Sequence, residues 1–156
     1  MSHFDGEDFE GQDFEEVLKR FEDMLANGST SFFDADELED IIEYYFQWLN
    51  YDMVKKALDF AMKQFPFSSN IKIKQAQYLS SQHYTKEALN LLNEVEQIES
   101  ANLDLFMARG YIYSQMGLGE QAIENFKKAL PLAINKSKLA LSICSTSFNR
   151  FKASLV

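Results

Sequence analysis

The sequence predicts an all-α protein: a right-handed α–α superhelix of three helical hairpins, with a capping helix before them and a C-terminal helix after. Three observations carry this. Apolar residues recur at i, i+3, i+4 and i+7 through most of the 156-residue chain, which places them on one face of a helix. Only two prolines and six glycines interrupt the pattern, leaving little room for loops. Finally, Ile42, Ala76 and Gly110 recur at a constant interval of 34 residues, as do Pro66, Ser100 and Ile134. A fixed period of that length marks stacked repeat units.

The elements follow in order. Residues 1–11 set Phe4 and Phe9 among Asp5, Glu7, Asp8 and Glu10. A spacing of five fits neither helix nor strand, so this stretch reads as a mobile acidic tail. Residues 12–28 carry Phe14, Val17, Leu18, Phe21, Met24 and Leu25 at helical spacing, with Asn27-Gly28 as a stop. Asp13, Glu15 and Glu16 sit in the first turn, where they favour the helix dipole. One amphipathic helix cannot bury its face alone, so it is expected to cap the first repeat.

The first repeat, residues 35–68, opens with an Asp34-to-Glu37 capping box. Its helices carry Leu38, Ile41, Ile42, Tyr45 and Leu49, then Val54, Ala57, Leu58, Ala61 and Phe65 up to Pro66. The second, residues 69–102, has Ala76 and Leu79, then Thr85 as the expected N-cap of a helix bearing Ala88, Leu92 and Val95. The third, residues 103–136, has Phe106, Tyr113 and Met116, with Gly110 mid-helix. A mid-helix glycine costs roughly 1 kcal/mol against alanine, which suggests room for a neighbouring helix. Gly117 and Gly119 turn the chain into a helix presenting Ala122, Ile123, Phe126, Ala129 and Leu130. Pro131 is expected to end that helix a few residues early. Residues 137–156 then read as a degenerate fourth repeat or C-terminal helix. Leu139, Leu141 and Ile143 alternate before a Ser/Thr cluster, so an irregular or truncated ending is the alternative.

The third repeat closely resembles the tetratricopeptide repeat (TPR) through Phe106, Gly110, Tyr113, Gly117, Ala122, Phe126 and Ala129. It departs from that pattern at Arg109, Gly119 and Ile134, where the family has leucine, an aromatic and proline. The resemblance implies a short array of the bacterial type, whose first helices line a concave groove. In this chain the implied lining is Asp36, Glu39, Glu43, Phe46 and Gln47, then Asn70, Ile73, Gln77, Ser80 and Ser81, then Asp104, Met107, Tyr111, Ser114 and Gln115.

Charge narrows the partners. The formal net charge is −9, which opposes nucleic-acid binding because that affinity rests on Lys and Arg neutralising phosphates. Residues 1–43 hold fifteen acids against Lys19 and Arg20. No acid follows Glu124, whereas Lys127, Lys128, Lys136, Lys138, Arg150 and Lys152 do. Members of the family that hold a C-terminal carboxylate do so with basic groove residues. Here the corresponding positions include Glu39, Glu43 and Asp104, so a Lys- or Arg-bearing ligand suits the groove better.

No catalytic constellation is visible. His3 and His83 are far apart, Cys144 has no identifiable basic partner, and neither a phosphate-binding Gly loop nor metal-spaced Cys/His residues occur. No cofactor is expected, and no enzyme activity. One cysteine permits no internal disulfide, and neither a secretory signal nor an 18-residue apolar run is present. These features point to a cytoplasmic protein without membrane insertion. The expected function is an adaptor holding a peptide or helical segment of a protein partner. Alternatives are a secretion or assembly chaperone of three-repeat type and a targeting fragment of a longer repeat protein. The outer face of the last repeat lacks a polar cap, so self-association through the C-terminal end is also expected.

Overall fold

The computed structural model describes the backbone of residues 7–153 and the side chains of residues 13–138. It contains α1 (Glu7–Asn27), α2 (Ala35–Gln47), α3 (Tyr51–Gln64), α4 (Ser69–Ser81), α5 (Thr85–Ile98), α6 (Leu103–Gln115) and α7 (Gly119–Ala153), with no strand among the described residues. The chain forms two compact units, Met1–Lys74 and Gln75–Val156.

The 34-residue period is written into the backbone. Helices α2, α4 and α6 start 34 residues apart and have the same length. Each is capped by the residue before it: Asp34 accepts from the Glu37 amide at 2.8 Å, Ser68 from Ile71 at 3.3 Å, and Asn102 from Leu105 at 3.0 Å. These short polar side chains satisfy amide groups that have no partner inside the helix. At Asp34 the Glu37 carboxylate returns the bond, accepting from the Asp34 amide at 2.9 Å, and completes a capping box.

The turns inside the hairpins repeat as closely. The amides of Asn50, Tyr84 and Leu118 donate to the carbonyls of Tyr45, Leu79 and Tyr113, each at 2.9 Å. Those of Leu49, His83 and Gly117 donate to Phe46, Ser80 and Ser114, each at 3.0 Å. This paired pattern is a Schellman motif, which needs one left-handed residue. That residue has φ of 53° at Leu49, 67° at His83 and 73° at Gly117. Only the third turn has the glycine that adopts this conformation without strain; a side chain there costs roughly 1–2 kcal/mol.

In the first unit, α1 buries Val17, Phe21 and Met24. The Phe21 ring meets Phe33 edge-on at 5.7 Å and Phe60 at 6.1 Å, while Phe33 and Phe60 lie 5.8 Å apart. Leu38, Ile41, Ile42, Val54 and Leu58 complete this core. The Arg20 guanidinium lies 4.6 Å above the Phe33 ring and bonds Glu37 at 2.6 Å. The Tyr45 hydroxyl donates to Glu22 at 2.8 Å. Burial first, and then this bond, push the Tyr45 phenol well above its ordinary pKa.

In the second unit, α6 lies between α5 and α7. Arg109 is buried, donating to the Glu96 carboxylate at 2.7 Å, the Leu92 carbonyl at 3.1 Å and Asn93 at 3.1 Å. Arg109 thus ties α6 to α5 through an ion pair whose guanidinium is buried and whose carboxylate is partly exposed. A Cβ on Gly110 would come within 2.5 Å of the Phe126 ring, so the glycine marks a close α6–α7 approach.

Three local expectations are corrected. Helix α1 begins at Glu7, so residues 7–11 are helical; Gly11 and the wide Phe spacing do not prevent backbone bonding there. Residues 1–6, and with them Phe4 and His3, lie outside the described residues. Tyr84, not Thr85, is the N-cap of α5, without a side-chain cap bond, because the preceding Schellman turn already fixes the chain there. Helix α7 continues through Pro131 to Ala153. Proline removes the bond that its amide would give to the Lys127 carbonyl and crowds that carbonyl with its ring, but the ladder resumes beyond it, and no glycine or further proline follows up to Ala153. The side chains of Cys144 and Ser147 lie outside the described residues.

Candidate functional site

The expected lining residues divide by exposure. In the first unit, Asp36, Glu43, Gln47 and Asn70 are exposed, while Glu39 and Phe46 are half-buried. Ile73 is buried, 2% exposed, and offers no apolar anchor at an accessible surface. In the second unit, Ser80 is also buried and its hydroxyl lies 3.2 Å from the Gln115 amide oxygen. Gln77 and Ser81 are half-buried. Asp104, Met107, Tyr111, Ser114 and Gln115 are exposed on α6.

The two acids expected to attract a basic ligand are already engaged by their own chain. Asn70 donates to Glu39 at 3.1 Å, and Lys74 forms an ion pair with Glu43. Burial raises the Glu39 pKa first, and the nearby Asp36 adds to this against the Asn70 bond.

A groove that the sequence did not reveal lies between α1 and α2. It consists of two adjoining cavities of about 430 and 270 Å³. Asp13, Phe14, Val17, Asp34, Glu37 and Asp40 line the first; Phe14, Asp40, Glu43, Tyr44 and Gln47 line the second. Phe14 and Asp40 belong to both. Residues Glu37, Asp40, Tyr44 and Gln47 follow helical spacing, so one face of α2 forms a wall. The floor is aromatic: Phe14 lies 5.6 Å from Tyr44, and Tyr44 lies 6.3 Å from Trp48. The signal was present as Phe14 and Tyr44 within acidic helices, but pairing them required tertiary placement.

The charge in this groove is incompletely balanced. Burial raises the Asp40 pKa first, followed by repulsion from Asp36, while Lys74 opposes the shift and Asp34 and Glu43 reinforce it. The folded protein thus holds the Asp40 proton more tightly than the unfolded chain does. Stability is lost as pH rises from the ordinary value through the raised one, and the penalty persists above it. Asp40→Asn should therefore raise the melting temperature slightly at neutral pH, by an increment within about 0.5 kcal/mol. Below the ordinary value of 3.8 the gain should vanish. Thermal melts at both pH values check this; an equal gain at both would show that repulsion is not the cause.

The groove's chemistry is that of cation recognition. Carboxylates attract Lys or Arg, and aromatic faces accept both cations and apolar side chains. Among the described residues no group of three or more His, Cys, Asp and Glu is placed to hold a metal ion, and no helix is long and apolar enough to cross a membrane.

Solved structures share this architecture. MamA MSR-1 aligns over 78% of this chain and 66% of its own, with a TM-score of 0.53 at 21% identity. MamA AMB-1 aligns over 81% and 66%, with a TM-score of 0.51 at 22% identity. MamA is a TPR-containing protein. The fold is an all-α helical repeat. At these identities the likeness concerns fold alone, and the chain spans 66% of the length of those chains. No family model matches the sequence, and no curated protein does.

Proposed function

We propose that this chain is a short TPR-like array acting as a non-catalytic protein-interaction scaffold, with the α1–α2 groove as its binding surface for a basic, amphipathic segment. The carrying observation is the groove itself, where Asp13 and Asp40, outside the Asp34–Glu37 capping box and the Glu37–Arg20 and Glu43–Lys74 ion pairs, lie beside a Phe14–Tyr44 floor. A partner's Lys or Arg residues would meet the acids while one apolar side chain covers the rings. Exposed ion pairs contribute only about 0–1 kcal/mol each, so the apolar contact supplies most of the affinity and the acids select the sign of charge.

Trp48, the chain's single tryptophan, is 71% exposed and adjoins the floor through Tyr44, which makes its fluorescence a reporter. A synthetic Lys/Leu amphipathic peptide should shift that emission saturably. Asp13→Lys with Asp40→Lys should weaken binding about tenfold, equivalent to about 1.4 kcal/mol. Equal affinity for a Glu/Leu peptide, or no loss in the double variant, would overturn the assignment.

A further inference from the structure

The last helix of the chain complements the groove described above. Helix α7 spans 35 residues, about 52 Å at 1.5 Å per residue, whereas α6 with 13 residues spans about 20 Å. Contacts to α6 occupy the beginning of α7. There Ala122 and Ala129 are buried, Phe126 fills the space over Gly110, and Lys128 lies 5.8 Å from the Phe106 ring. Beyond them α7 runs on past the reach of α6.

The exposed side of this helix has a definite chemistry. Ile123, Leu130 and Ile134 are 55%, 60% and 45% exposed and follow i, i+7, i+11 spacing, which forms one apolar stripe. Lys127 and Lys138 are exposed beside it, and no acid follows Glu124. A basic helix with an apolar stripe is the counterpart of acidic walls around an aromatic floor. The dimensions agree as well. The groove's α2 wall, from Asp34 to Gln47, is about 20 Å long, the length of some thirteen helical residues.

We infer that the occupant of the α1–α2 groove is the middle of α7, Lys127 to Lys138, from a second copy of this chain, with Leu130 and Ile134 facing Phe14 and Tyr44, and Lys127 and Lys138 facing the groove's acids Asp13 and Asp40. This rests on the groove being the binding surface. Charge selects this pairing over the alternative in which two α7 helices lie side by side, since both would be basic and repel. The contact joins two different patches, so it is heterologous and leaves a free groove at one end and a free helix at the other end of every open assembly. Such contacts build rings or open chains.

The experiment uses the full chain in sedimentation velocity. The parent should assemble with increasing concentration, and more weakly in 1 M salt, where the screening length falls to about 3 Å. A groove variant, Asp13→Lys with Asp40→Lys, and a helix variant, Lys127→Glu with Lys138→Glu, should each remain monomeric with unchanged helicity by circular dichroism. Mixed in equal amounts, the intact helix meets the intact groove and the reversed helix meets the reversed groove, each with opposite charges, so assembly should be restored. If charge reversal unfolds either chain, Asp40→Asn and Lys138→Gln substitute and should give intermediate weakening.

A parent that stays monomeric up to its solubility limit overturns the inference. So does a helix variant that still assembles like the parent, or a mixture in which assembly is not restored. A monomeric parent that still binds the Lys/Leu peptide leaves the groove assignment standing and removes only the second copy as occupant. Loss of both results removes the groove.

Discussion

Replacing Phe21 with alanine is expected to destabilise the protein by about 3–5 kcal/mol. Phe21 is 0% exposed and is held edge-on between Phe33 and Phe60. Truncation removes the buried ring and also leaves a cavity whose walls come from separate elements: α1, the segment preceding α2, and α3. Those walls cannot collapse together without moving backbone, so the loss should lie toward the upper part of that range. Denaturant unfolding with circular dichroism measures it. Phe21→Leu should recover more than half of the loss, because it restores most of the volume but not the ring geometry. A loss below about 1 kcal/mol, typical of an exposed position, would mean that α1 is not part of the cooperative core.

Arg109 is the second position of large effect. Arg109→Ala should cost roughly 2–3 kcal/mol, because it deletes charge-assisted bonds and leaves Glu96 without its partner. Glu96 is 32% exposed at its side chain and can recover some hydration, which places the effect below that of a fully enclosed pair. Arg109→Met is the informative companion. It retains volume, and exchanging buried charge for apolar packing is often neutral or favourable when both partners are removed. Arg109→Met with Glu96→Gln should therefore lie within about 1 kcal/mol of the parent. A double variant as unstable as Arg109→Ala would show that the guanidinium's bonds to the Leu92 carbonyl and Asn93 matter more than the ion pair.

The repeat period was legible because side-chain burial follows it. Leu38, Ile41 and Ile42 are fully buried, as are Ala76 and Ala88, and each was readable from 3.6-residue spacing. Turn handedness was legible only at Gly117. Leu49 and His83 adopt the same conformation with residues that carry no compositional signal for it, since hydrogen bonding and packing override their local preference. The caps at Ser68 and Asn102 stood in the sequence one and two periods from Asp34, and the period alone would have located them.

The site was less legible. An acidic face in sequence shows only that carboxylates share a helix side. It does not show that Lys74 and Asn70 would turn back onto Glu43 and Glu39, leaving the open acids on the side facing α1. Nor could spacing assign α1 a binding wall in addition to its role in the core. The outer part of α7 shows the opposite failure: Pro131 was weighted as a terminator, though its missing amide affects a single rung of a long ladder.

The three left-handed turns also make the chain a counting device. Leu49, His83 and Gly117 stand 34 residues apart, so every apolar face is set in phase from the reversal before it. One residue inserted inside a helix advances all later side chains of that helix by about 100°, carrying buried positions out to water. The same residue placed beside Gly28, where an added Cβ would meet no atom within 4 Å, shifts nothing downstream. Length change is thus forbidden inside the repeats and free just ahead of them, so growth of such an array proceeds by whole periods.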